Sequence, residues 1–379
     1  MNEFICEFSI GDTDGLTIAI DDTIDVAAYP TTRSSQALAA GLPATENAEV
    51  VERLLTAGWH VIGKTTTQEL AFGTSGIHTL TDTPENPQDA QLMPGGASSG
   101  GASAVGLYLS DAAIGSDSDG AVRLPAACCG VIGMKPTFGR ISRAGVAPTH
   151  TTLECIAPSS RSMLTLIDVL AAITPQFDDM LAYSSLKAIR IGIVHVAAMP
   201  EIITAVHATP ALLGWQATQC DLVHFEAASL AAAAVHDSEM WHAFGHLLLG
   251  GKLSKAQDTR LRWAAETSPH DLALAQDVRT RFSAELDAAL QHVDALILPS
   301  LPALPFSLTQ AALATPSAVS SLASLSSFLS PFNLSGHPSL TLPLPLADSH
   351  LMAGLQIVGR KGEDEFLCAL ASQFETALQ

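Results

Sequence analysis

Basic residues are scarce in this chain. Lys and Arg number 18 against 38 Asp and Glu, a formal charge of −20. There is no Lys/Arg cluster and no basic stripe interleaved with aromatics, so a phosphate backbone would be repelled and nucleic acid is excluded as a direct partner. The acidic balance reads as a solubility feature. Aromatics are few, at 5%, which leaves Ala, Leu, Val and Ile to build the core. No apolar run reaches the roughly 18 residues of a membrane span. The opening MNEFICEFSIGDTDG is acidic and lacks the apolar stretch of a signal peptide, so no membrane association is expected. Cys6, Cys128, Cys129, Cys155, Cys220 and Cys368 show neither CxxC nor zinc spacing. That excludes a zinc module and a small disulfide scaffold, and reduced thiols in a cytoplasm are the expectation. No metal and no cofactor is predicted.

What is present is a long, apolar chain: 379 residues, 47% hydrophobic and 15% charged, far from the composition of disorder and able to bury a large core. Strand and helix patterns alternate. Strands are expected at Leu16–Ile20, His60–Gly63, Ala112–Gly115, Ile189–Val194 and Asp294–Leu298. Helices are expected over 46–57 with Thr45 as cap, over 98–109, and over 268–292, where Ser268 caps, Pro269 takes the first helical position and Asp271 faces the positive end. Residues 299–345, rich in Pro, Ser, Ala and Leu, read largely as irregular connection. The alternation predicts an α/β layered architecture. With no repeat and no linker, residues 1–379 are expected to form one domain.

The most informative stretch is 94–137, PGGASSGGASAVGLYLSDAAIGSDSDGAVRLPAACCGVIGMKPT. Gly96-Ala97-Ser98-Ser99-Gly100 matches GxSxG, but a nucleophile elbow needs a strand before the serine, and TDTPENPQDAQLMPGG reads as a loop. Taken whole and without gaps, the stretch resembles the amidase signature family, whose pattern is approximately PGGSSGGS, then GTDTGGS-x-R-x-P, then CG-x-x-G-x-KPT. The similarity extends to Asp22-Thr23-Ile24-Asp25-Val26 with Pro30-Thr31-Thr32, to Ile62-Gly63-Lys64-Thr65-Thr66, to Phe332-Asn333-Leu334-Ser335-Gly336-His337-Pro338 and to Leu355-Gln356-Ile357-Val358-Gly359-Arg360. The resemblance implies a mixed central β-sheet flanked by helices on both faces. It covers amidases, allophanate hydrolase-like proteins and the amidase components of tRNA-dependent amidotransferases. The chain is short for that family, lacking most of the N-terminal helical segment and trimmed near 200–265.

Family chemistry, as the resemblance implies it, is amide cleavage by a Ser–Ser–Lys triad. A serine hydroxyl needs a base to become a nucleophile, and a lysine serves as one only when its surroundings favour the neutral amine. A second serine, on a cis peptide, relays the proton, and backbone N–H groups before the nucleophile hold the oxyanion. Lys64 matches the family lysine. The relay position is Ala97 and the nucleophile position is Ala121, 24 residues apart (121 − 97). Sliding the register to recover a serine would displace Pro94, Gly120, Arg123 and Pro125 together. The oxyanion loop maps to Ser118, Asp119, Gly120 and Ala121, and Ser98, Ser99, Asp117 and Arg123 match the supporting framework. Asp119 and Asp21 also depart from the family pattern.

A methyl group cannot attack a carbonyl, so the expectation is a catalytically impaired amidase-like protein that binds a ligand, regulates, or supports an active partner. Lys64 is expected to survive as a lysine paired with an acid such as Asp119. The alternatives are a weak amide hydrolase using Ser98, Ser99, Ser116, Ser118, Cys128 or Cys129, and an amidase silenced by engineered Ser-to-Ala changes, which Asp21 and Asp119 disfavour. Partners in view are a small amide or carboxylate, a second copy in a homodimer, or a different protein. His242 and His246 have helical i, i+4 spacing but no H-E-x-x-H motif, and read as a surface helix pair.

Overall fold

The computed structural model describes residues 2–78, 81–313, 322 and 324–379. The expected strands all form, and others join them. They are β1 (Phe4–Gly11), β2 (Thr17–Asp21), β3 (His60–Thr65), β4 (Ala112–Asp117), β5 (Ile132–Lys135), β6 (Cys155–Ser160), β7 (Arg190–Val194), β8 (Gln216–Cys220), β9 (Ala295–Pro299), β10 (Ser339–Pro345) and β11 (Met352–Val358). They make a single sheet in the order β1-β3-β2-β4-β6-β5-β10-β11-β9-β7-β8. The sheet is mixed. β2 runs parallel to β3 and β4, and β7 parallel to β8 and β9. The central pairings β4–β6, β6–β5, β5–β10, β10–β11 and β11–β9 are antiparallel. The central strands β4, β6, β5 and β9 are buried along their whole length, on both faces.

Helices cover the two faces. One core cluster packs Leu166, Ile167 and Leu170 of helix Met163–Ile173 with Leu367, Leu370 and Phe374 of the C-terminal helix Asp364–Leu378. A second cluster joins Phe225 and Ala232 of helix Phe225–Phe244 to Phe282 and Leu286 of helix Pro269–His292. The latter helix starts as expected, with Ser268 and Asp271 completing a reciprocal capping box. The small residues 99–106 form a buried helix, Ser99–Gly106. They are small for a reason: a Cβ on Gly100 would fall 2.5 Å from the Glu3 carbonyl oxygen and 2.7 Å from the Thr66 nitrogen.

Two expectations need correction, and one strand goes beyond them. Helix Glu49–Thr56 begins after Ala48, and Thr45 does not cap it; no side chain does. The chain opens on a strand, β1, antiparallel to β3, with exposure alternating residue by residue from Cys6 to Gly11. Much of 299–345 is ordered: it holds helices Leu308–Ala311 and Ser330–Ser335 and strand β10. Residues 314–321 and 323 of that span lie outside the described residues.

Candidate active site

β4 ends by delivering Asp117 to the centre of the molecule, and helix Arg123–Cys129 starts six residues on. The two side chains form a fully buried, two-pronged ion pair, with Nη2–Oδ1 2.8 Å and Nε–Oδ2 3.0 Å. Burying two charges is costly unless every donor is matched, and here the remaining donors are. Arg123 also donates to Asn333 Oδ1, Gln356 Oε1, Ser339 Oγ and the Leu329 carbonyl. Asn333 returns two hydrogen bonds to Asp117. Three motifs far apart in the chain, 94–137, 332–338 and 355–360, thus converge on one knot. Burial alone would raise the Asp117 carboxyl, but the Arg123 charge and its hydrogen bonds hold it well below the usual carboxylate range.

Lys64, at the end of β3, is fully buried. Its Nζ lies 2.9 Å from Asp22 Oδ1, 2.9 Å from the Pro30 carbonyl and 2.8 Å from Thr31 Oγ1. Three acceptors for three N–H groups is the saturated arrangement of an ammonium. The expected pairing with Asp119 is therefore wrong: the partner is Asp22, the aspartate that immediately follows β2. Asp22 is fixed in turn by Thr32 and Ser34, and Thr31 by Asp25. The Asp-x-x-Asp and Pro-Thr-Thr segments together build this cage.

Ala97 and Ala121 come together. Their methyl groups pack with Ala71 in a small apolar cluster, and the two are each 1% exposed. The Gly96–Ala97 peptide is cis. The Ala97 carbonyl accepts from Gln68 N and Thr67 Oγ1, and the Ala121 carbonyl from Ser98 N. Gln68 to Phe72 is a strap across the pair, held by the buried Arg33, which donates from Nε and Nη2 to the Leu70 carbonyl. Arg33 also sits 4.9 Å from the Phe244 ring centroid. Beside Ser98 lies a small void of about 10 Å³, the room of a single water. The larger opening, about 640 Å³, is an acidic surface depression around Asp25, Glu46, Glu49 and Glu52, away from the alanines.

In the loop 117–121, the Gly120 N–H donates to Asp117 Oδ1 at 3.0 Å, so it serves the knot rather than an open anion site. Gly120 has φ +103, and a Cβ there would strike Leu329 at 2.7 Å, so only glycine fits. Asp119 is turned aside: its side chain is 19% exposed and its Oδ2 lies 3.7 Å from His236 Nδ1. Burial, with the Asp117 charge adding to it, raises its carboxyl to about 7. His236 Nε2 is 3.1 Å from Ser118 Oγ, and burial lowers that imidazole to about 4.

A protein-family model described as Amidase matches residues 8–368. The chain belongs to the amidase family. It is 31% identical to the A-chain component of the glutamyl-tRNA(Gln) amidotransferase of Thermus thermophilus, over 96% of this chain and 84% of that protein. It is 30% identical to the same component from Methanosarcina barkeri, over 95% and 84%. Among solved structures, an amidase superposes with TM-score 0.85 at 27% identity, covering 96% of this chain and 85% of that one. A protein from a vestigial complex bearing on the origin of an s-triazine catabolic enzyme gives 0.87 at 23%, covering 97% and 85%. The fold is the α/β amidase signature fold, a mixed sheet flanked by helices, as expected.

Within this amidase-family chain the remaining expected residues are distributed as follows. Ser98 donates to Asp21 Oδ2; burial, opposed by that hydrogen bond and reinforced by Asp22, raises the Asp21 carboxyl to about 7. Ser99 lies 3.2 Å from His78 Nε2, and the buried Ser116 hydroxyl has no partner. Cys128 and Cys129 are buried, and burial pushes both thiols far up, which disfavours the reactive thiolate. Ser98 is preceded by loop, not strand, so no nucleophile elbow exists. His242 bonds through Nδ1 to the Ser238 carbonyl, and no metal-binding group of side chains occurs among the described residues. Reading the sequence missed His236, Phe72 and Arg33; each is a lone residue in an unremarkable segment, and only the tertiary fold brings them to the site.

Proposed function

We propose that this chain is an amidase-family domain, spanning residues 1–379, that has lost the family's amide chemistry and acts by binding or by supporting an active partner. On this reading Ala97 holds the relay position, Ala121 the nucleophile position, Lys64 is a residual structural lysine, and residues 118–121 are the former oxyanion loop. Ser98, Ser99, Asp117 and Arg123 hold the frame. The observation that carries the reading is the contact of the Ala71, Ala97 and Ala121 methyl groups, together with a Lys64 whose three N–H groups are all engaged elsewhere. Positions 97 and 121 have no oxygen to acylate, and Lys64 is not free to activate one.

The closed site favours a protein partner, whether a second copy or a different chain, over a small amide or carboxylate seated between the alanines. Relatives named as components of an amidotransferase belong to complexes, and that supports the same direction. The test compares the unchanged protein with Ala97→Ser/Ala121→Ser on a panel of small amides. The reading expects turnover only from the double variant. Amide turnover by the unchanged protein that disappears in Lys64→Met would overturn it.

A further inference from the structure

Of the serines around the loop, Ser118 alone has both a histidine and a carboxylate aligned behind it. We propose that Ser118, His236 and Asp119 form a second acyl-transfer array, one that takes a small acyl group from an activated ester. Ser118 Oγ lies 3.1 Å from His236 Nε2, and Asp119 Oδ2 lies 3.7 Å from the opposite ring nitrogen, Nδ1. An Oγ–H that donates to Nε2 requires the Nδ1–H tautomer, and Asp119 Oδ2, 3.7 Å from Nδ1, lies on the side of the ring where that proton sits. The imidazole is well fixed. Phe72 meets it edge-on at 5.1 Å between centroids, Arg260 stacks 4.3 Å from the Phe72 centroid, and Asp237 holds Arg260 through two hydrogen bonds of 2.6 and 3.0 Å. By comparison, Ser99 is fully buried against His78 and Ser98 is spent on Asp21. Ser118 is 8% exposed and Asp119 opens toward solvent, which restricts the acyl donor to small groups.

In the first step Ser118 Oγ bonds to the acyl carbon while its proton passes to His236 Nε2, and the carbon–oxygen bond to a phenolate breaks, the phenolate leaving with the electron pair. The imidazolium then gives that proton to solvent, and in the second step a water passes a proton to the neutral His236 Nε2 as its oxygen attacks the acyl-serine. Ser118 Oγ then leaves and recovers its proton from the imidazolium, releasing a carboxylic acid. The low basicity that burial gives His236 suits a leaving group that departs without protonation, so esters of phenols are expected and unactivated amides are not. The Gly120 N–H, bound to Asp117, is withheld from the developing oxyanion, so the reaction is slow.

Full-length protein is treated with p-nitrophenyl acetate and, separately, with a small fluorophosphonate, and adducts are mapped by peptide mass spectrometry. The expected result is a serine adduct on Ser118 of the unchanged protein, absent in Ser118→Ala and formed about a hundred-fold more slowly in His236→Gln. Mapping in the unchanged protein requires no variant to fold. A serine adduct at Ser98, Ser99 or Ser116 instead, no Ser118 adduct while surface lysines become acetylated, or equal rates with and without His236 would each overturn the proposal. Positions 97 and 121 take no part, so an absent Ser118 adduct leaves the reading of the family site standing. Amide turnover dependent on Lys64 would sink that reading without bearing on Ser118.

Discussion

Asp117 and Ala121 sit four positions apart on one loop, and they have fared differently. Around Asp117, the hydrogen bonds of a buried charge pair are complete and draw in Asn333, Ser339 and Gln356 from the far end of the chain. The Ala121 side chain, by contrast, packs against the methyl groups of Ala97 and Ala71. The contrast is physical. Removing one partner of a buried ion pair strands the other in an apolar interior, whereas replacing a buried hydroxyl by a methyl leaves nothing unpaired once its partner hydroxyl has gone too. On the proposed reading, chemistry at 97 and 121 was free to disappear as a pair, while the frame at 117 and 123 was not.

Perturbing the frame should do the most damage. Arg123→Leu leaves Asp117 without its countercharge and is expected to cost about 3–5 kcal/mol in chemical denaturation. Lys64→Met strands Asp22, which still has Thr32 and Ser34 as donors, so a smaller loss of about 2–4 kcal/mol is expected. If Lys64→Met proved neutral or stabilising, Lys64 would not be a structural member of the frame.

Asp21 reverses the sign. Its folded carboxyl is raised from 3.8 to about 7 by burial, so the folded chain keeps a proton that the unfolded chain releases. Stability is then lost as pH rises from about 4 through about 7. Asp21→Asn imitates the protonated form while leaving an oxygen for Ser98. It should match the unchanged protein near pH 4 and exceed it by roughly 4 kcal/mol near pH 8. A pH-independent difference would contradict the assigned cause. Ser268→Ala, remote from both regions, should cost about 1 kcal/mol by removing a capping box, which sets the scale of an ordinary surface loss.

Much of this is legible in the sequence, because the family motifs are local. The ungapped stretch 94–137 and the segments ending at Arg360 identify the fold, and the strands leading to Lys64 and Asp117 are found from their apolar runs, each running two residues past the expected end. Ser268 with Asp271 is a cap whose chemistry is written within four residues. What stays hidden is pairing across the chain. Nothing at Asp22 announces that it, rather than Asp119, meets Lys64, since that depends on β2 lying beside β3 in parallel. His236 lies 118 residues from Ser118 on an alanine-rich helix, with no local pattern to mark it. The strand at the N-terminus does have a local signal, the polar–apolar alternation Glu7-Phe8-Ser9-Ile10, which matches its alternating exposure.

The most direct measurement is steady-state hydrolysis of a small-amide panel by the unchanged protein, by Ala97→Ser/Ala121→Ser, and by each combined with Lys64→Met. The account predicts background rates for the unchanged protein and a gain in the serine pair that Lys64→Met abolishes. Amide hydrolysis by the unchanged protein that falls when Lys64 is replaced would contradict it.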